Sequence, residues 1–61
     1  MFQITIFDRD GKIFEKMELK NDDRFNYDRD ETHTRIFGYD LQDKEVHYLI
    51  SHNHTVLIKE I

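Results

Sequence analysis

The residue types able to do chemistry in this chain are histidine and carboxylate. His52 and His54 flank Asn53. In an extended strand that spacing puts both rings on one side, where they can touch a transition metal together. His47 or His33 becomes a third ligand if folding brings it near. Two imidazoles in a polar turn fall short of a zinc ligand set. No metal centre and no cofactor is therefore expected, and His52 and His54 are the places where adventitious metal would sit. The order His-Asn-His does not make a nuclease, whose ββα-metal motif spreads over a longer stretch. Proton chemistry is the better-motivated role. Four histidines stand against a net charge of −4, so solubility or self-association is expected to change between about pH 7 and 5.5.

The carboxylates read as turn and surface groups. Asp8-x-Asp10-Gly11 resembles the opening of an EF-hand loop, but Lys12 follows the glycine and the later oxygen ligands are missing. A hairpin turn is expected there. Asp28-x-Asp30-Glu31 could supply half of an acid pair, yet Arg24 and Arg29 lie among these residues, as in a solvated charge run. Ser51 is the only serine and has no nucleophile elbow around it. No glycine-rich phosphate loop exists. The expectation is a protein that is not an enzyme.

Positioning falls to strands. Phe2-Gln3-Ile4-Thr5-Ile6-Phe7 alternates apolar and polar residues, the period of a strand with one buried face. Ile13, Met17 and Leu19 resume that alternation after Asp8–Gly11, with Glu15 as the odd member. A loop of even length keeps Ile13, Glu15, Met17 and Leu19 on the face of Phe2, Ile4 and Ile6; an odd loop exchanges the faces. The two-residue loop sets Arg9 against Lys12, an unfavourable like-charge pair. The four-residue loop, which pairs Ile6 with Ile13, is preferred. Either way Phe7 and Phe14 fall on the second face.

Residues 20–31 break the pattern. They read as an irregular loop with one helical turn after Asn21, whose side chain caps it. Thr32 to Tyr39 reads as a third strand, with Gly38 marking a bulge or a close-packed neighbour. Asp40 to Lys44 is a polar turn. From Val46 to Ile58 no side chain carries a formal charge, and two apolar runs flank Ser51-His52-Asn53-His54. That reads as a hairpin covered on both faces, with Glu60 pairing across it to His47. No internal repeat is visible.

The expected architecture is all-β: one domain over residues 1–61, holding four or five antiparallel strands in a single sheet of hairpins. A small open barrel results if that sheet curls. An α+β fold is the alternative, should residues 41–52 form a helix with Asp40 as its cap.

A chain of 61 residues buries only about 60% of its unfolded surface. With no cysteine it lacks a disulfide framework, so a homodimer or another partner is a natural source of extra stability. Eight aromatic residues, five Phe and three Tyr, argue against disorder. No apolar run approaches the roughly 18 residues of a membrane span. Met1 leads straight into the first strand, which fits a complete cytoplasmic protein rather than a secreted one.

Nine basic residues against thirteen acidic ones disfavour nucleic acid and anionic membranes. The leading function is a small acidic protein-binding module that acts by surface contact, as an inhibitor or regulator of a basic partner. Its expected contact residues are Phe7, Phe14, Phe25, Tyr27, Asp28, Asp30 and Glu31. One alternative is a small barrel that stacks single-stranded nucleic acid on Phe7, Phe14, Phe25, Tyr27 and Tyr39, with Lys12, Lys16, Arg24, Arg29 and Arg35 on the phosphates. The other is a self-assembling structural subunit.

Overall fold

The alternation in Phe2–Phe7 forms strand β1, and Ile13–Leu19 returns beside it as β2. The computed structural model describes residues 1–61. Four more strands follow: β3 (Asn26–Arg29), β4 (His33–Tyr39), β5 (Glu45–Ser51) and β6 (Thr55–Glu60). They make two antiparallel sheets of three strands, in the orders β2-β1-β6 and β3-β4-β5. The fold is all-β, and the expected single sheet of four or five strands, curled or open, is replaced by two sheets.

Three local findings explain that difference. First, residues 20–31 are not all loop: Asn26–Arg29 pairs with β4, Asn26 opposite Phe37 and Arg29 opposite Thr34. The turn before it is organised by Asp22 rather than Asn21. Asp22 Oδ1 accepts the Arg24 N–H at 2.9 Å, while Asn21 Nδ2 reaches across to Glu60 Oε1 at 2.6 Å. Second, β5 and β6 do not form a hairpin. The Ser51–His54 turn passes the chain from one sheet to the other, so β5 pairs with β4 and β6 with β1. Glu60 lies opposite Phe2 and not near His47. Leu49 and Leu57 consequently stay more than half exposed, where coverage on both faces was expected. Third, residues 41–52 hold no helix. Asp40 Oδ1 accepts the N–H groups of Gln42 and Lys44, both at 2.9 Å. Asp43 turns the chain back at φ 63. Val46, Tyr48 and Ile50 then alternate toward the core.

The first hairpin keeps Met17 and Leu19 on the expected apolar face, in the register of the two-residue loop, but Ile13 leaves that face to lie opposite Phe7, more than half exposed. Phe2 lies opposite Leu19 and Ile4 opposite Met17, but Ile6 meets Glu15 instead of Ile13. The register shifts after Ile6, so that Phe7 faces Ile13 and Phe14 is extruded as a bulge. The cause is the turn. Asp8 Oδ1 accepts the N–H groups of Asp10 and Lys12 at 2.9 and 3.0 Å, and Gly11 supplies φ 84. The loop therefore spans Asp8 to Lys12, closed by a 2.8 Å bond from the Asp8 N–H to the Lys12 carbonyl.

That arrangement occurs twice. At Asp40 to Lys44 the same bonds recur, from the Asp40 N–H to the Lys44 carbonyl (2.9 Å) and from the Asp43 N–H to the Asp40 carbonyl (3.0 Å). The repeat was not evident from the residues. Each sheet thus has a central strand, β1 or β4, that runs into an aspartate-capped turn and an edge strand.

The core lies between the sheets: Ile4, Ile6 and Leu19 from one, Ile36 and Ile50 from the other. Gly38 is buried there. A Cβ on it would stand 3.3 Å from Leu19 Cδ1 and 3.4 Å from Phe25 Cδ1, so the close-packed neighbour is the correct reading of that glycine. Phe25 stacks on Phe2 with ring centres 4.3 Å apart. The two sheets are also stitched at one corner, where the Lys20 N–H bonds the Tyr39 carbonyl at 2.7 Å. Met1 and Ile61 pair with each other, each backbone nitrogen donating to the other's carbonyl at 2.8 and 2.9 Å.

Candidate functional site

Strand β5 has β4 on one side and no strand on the other. Its alternation sends Val46, Tyr48 and Ile50 toward the core, opposite Gly38, Ile36 and Thr34. Glu45, His47, Leu49 and Ser51 point outward. A cleft of about 490 Å³ runs along this free edge, lined by His47 to Ser51 with His33, His54 and Phe14. Phe14 stands there because the bulge extrudes it from β2 toward the Ser51–His54 turn. Its ring lies 4.7 Å from the His54 ring, and His54 Nδ1 is 3.4 Å from Ser51 Oγ. Phe14 and Leu49 are 56% and 57% exposed. The cleft therefore offers apolar surface beside the backbone of a strand with no neighbour on that side, the two ingredients of strand addition. No carboxylate lines it.

The outer face of the same sheet is aromatic and charge-paired. Phe37 meets Tyr39 and His47 edge-on, each at 6.0 Å. The Arg24 guanidinium lies over Tyr39 at 3.8 Å, a cation–π contact. Arg24 also bonds Asp22 at 2.7 Å and Asp43 at 3.2 Å, and Lys20 bonds Asp43 at 2.9 Å. Arg24 holds Asp22 below the usual carboxylate range, and Lys20, then Arg24, do the same for Asp43. Arg24 is in turn held more firmly in its charged form, chiefly by Asp22. Arg35 reaches Asp30 at 2.9 Å and Asp28 at 3.5 Å. Asp30 is held down to about 2, first by the backbone N–H of His33, then by that of Thr32, with Arg35 adding to it.

The expected contact residues do not share one surface. Phe14 alone among them lines the β5 cleft. Phe7 is half-buried on the outer face of the other sheet, paired with Ile13 and Thr55. Phe25 is taken up by Phe2 and Gly38 beside the core. Tyr27 borders a smaller cleft between β3 and β6. Asp28 and Asp30 are tied to Arg35, and only Glu31 is exposed without a hydrogen bond or ion pair. His52 lies exposed in the turn and His54 beside Phe14. No three His, Cys, Asp or Glu side chains are grouped so as to hold a metal ion. No helix is long and apolar enough to cross a membrane.

Tyr48, Leu49 and His33 were not among the expected contacts. The available signal was the uncharged run from Val46, which marks an unguarded strand but equally marks a buried one. Comparison with protein families, with characterised proteins and with solved structures finds no significant match to this chain.

Proposed function

We propose that this protein is a binding module that acts by surface contact, taking an extended segment of another polypeptide along the free edge of β5. The observation that carries the reading is the pairing of that edge with two large apolar side chains, Phe14 and Leu49, both more than half exposed. Main-chain hydrogen bonds to β5 supply affinity, and the side chains that enter the cleft supply selectivity. The net charge of −4 favours approach of a basic partner at long range. Holding a partner's segment in this way is how an inhibitor or regulator acts.

The chemistry of the outer face supports protein over nucleic acid. Arg24, which lies over Tyr39, and Arg35 are already bonded to Asp22, Asp43, Asp28 and Asp30. Phosphates would have to displace those carboxylates.

Selection of displayed random peptides on the immobilised protein tests the proposal. Selected peptides are expected to be β-prone, to bind the protein with Leu57→Lys as they bind the wild type, and to lose binding with Leu49→Lys. Peptides that bind both variants alike, or no selection at a dilution where the protein is monomeric, would overturn it.

A further inference from the structure

The four exposed strand edges are not protected alike. Edge β2 carries Glu15, Lys16 and Glu18 and the bulge at Phe14. Edge β6 carries Lys59 and Glu60, and β3 is four residues long with Asp28 and Arg29. Charge, bulges and brevity are the devices that keep strand edges from pairing with other chains. Edge β5 is the least protected: seven residues, no bulge, and a single charge, Glu45, at its first position.

We propose that a second copy of this chain occupies that edge, β5 against β5, antiparallel about a two-fold axis through Tyr48. The inference rests on the reading of β5 as the contact edge and names a second copy as its occupant until a partner's segment displaces it. The register follows from self-complementarity. Tyr48 faces Tyr48 of the second copy, Val46 faces Ile50, and His47 faces Leu49, so every pair from Val46 to Ile50 is free of formal charge. Glu45 lands opposite Ser51. Ser51 pairs with His33 on β4 and contacts His54, so the carboxylate arrives at an end of the cleft furnished with imidazoles and no acid. Asp30, the acid nearest His33 through its bonds to that backbone, is engaged by Arg35. A parallel arrangement would instead set Glu45 beside Glu45, which is unfavourable. The product is an isologous dimer with one continuous six-stranded sheet, β3-β4-β5 joined to its copy.

Light scattering on the full chain from micromolar to millimolar concentration reads the mass. The wild type is expected to double its mass as concentration rises. Leu49→Lys should stay monomeric, weakened at least about tenfold, because a lysine is then placed on the pairing edge. Leu57→Lys, equally exposed on the other sheet, should still dimerise. The chain has no native cysteine, so single cysteines report the register. Tyr48→Cys is expected to form a disulfide-linked dimer under mild oxidation, because the axis brings its two copies within bonding range. Ser51→Cys is not. A wild type that stays monomeric, a dimer indifferent to Leu49→Lys, or crosslinking through Ser51→Cys in place of Tyr48→Cys would each overturn the proposal. A monomer whose selected peptides are still lost on Leu49→Lys would remove the second copy and leave the binding edge standing.

Discussion

In both sheets the central strand ends in an aspartate whose side chain accepts two backbone N–H groups, and the edge strand turns back through a residue at positive φ. From that shared plan the sheets diverge. The β1–β2 hairpin fills its inner face with Ile4, Ile6 and Leu19. At the position of Ile6, two residues before the aspartate, the β4–β5 hairpin has Gly38, and Leu19 and Phe25 press into the space. The edges diverge too: β2 is charged and bulged, β5 regular and uncharged after Glu45. One sheet supplies bulk and a closed rim, the other supplies room and an open rim. Two near-copies can therefore share a backbone scheme while dividing between them the work of filling a core and offering an edge.

Truncating the central strands strikes this comparison hardest. Ile4→Ala and Ile36→Ala remove equivalent, fully buried side chains. Each is expected to cost about 2–5 kcal/mol in urea unfolding, a large share of the stability of so small a domain. A much smaller loss for Ile36→Ala would show that the second sheet is not an equal partner in the core.

Exchanging bulk for room comes next. Gly38→Val drives a branched side chain into Leu19 and Phe25 and should cost about 1–3 kcal/mol. Ile6→Val should cost about 0.5–1.5 kcal/mol. Equal costs, measured by thermal melting, would erase the distinction between filler and socket.

The turns separate by less. Gly11→Ala strains a backbone at φ 84, with an expected loss of about 1 kcal/mol. Asp43→Asn keeps a residue type that tolerates positive φ and removes only the exposed bonds to Lys20 and Arg24. Its loss should be the smaller of the two and should fade in high salt.

The smallest effect is acidic. Asp30 is depressed in the folded chain to about 2, below its unfolded value of about 3.9. Its contribution is therefore present above pH 4 and lost as pH falls toward 2. Asp30→Asn should flatten the acid limb of the stability curve in that window, seen by circular dichroism. An unchanged limb would dismiss the role of the β3–β4 turn.

The residues disclosed a good part of this. The alternation of Phe2 to Ile6 and of Met17 and Leu19 marked the apolar face, because period two has one reading when polar residues separate the apolar positions. Gly38 marked either a bulge or a close neighbour, and the register through it is regular with Leu19 and Phe25 packed against it. The division into two sheets was not legible. Ser51 to His54 has the composition of a hairpin turn, and what makes it a crossover is the pairing of β6 with β1, from the opposite end of the chain. The bulge at Phe14 depends on how Asp8 bonds two backbone groups, a detail of geometry that composition does not carry. The repeat was hidden because its signature is three positions, Ile4/Ile36, Asp8/Asp40 and Lys12/Lys44, amid side chains chosen for different neighbours. The β5 cleft was missed for a related reason: an edge and an interior strand look alike until the partner strands are known.

The mutual hydrogen bonds of Met1 and Ile61 make the molecule close to a ring. A short peptide joining those ends, with a new opening cut at His52–Asn53, would let β6 lead directly into β1. The chain would then run through one whole sheet before beginning the other. Reordered so, each triplet of strands would become a continuous stretch, and whether either folds without its twin could be asked directly.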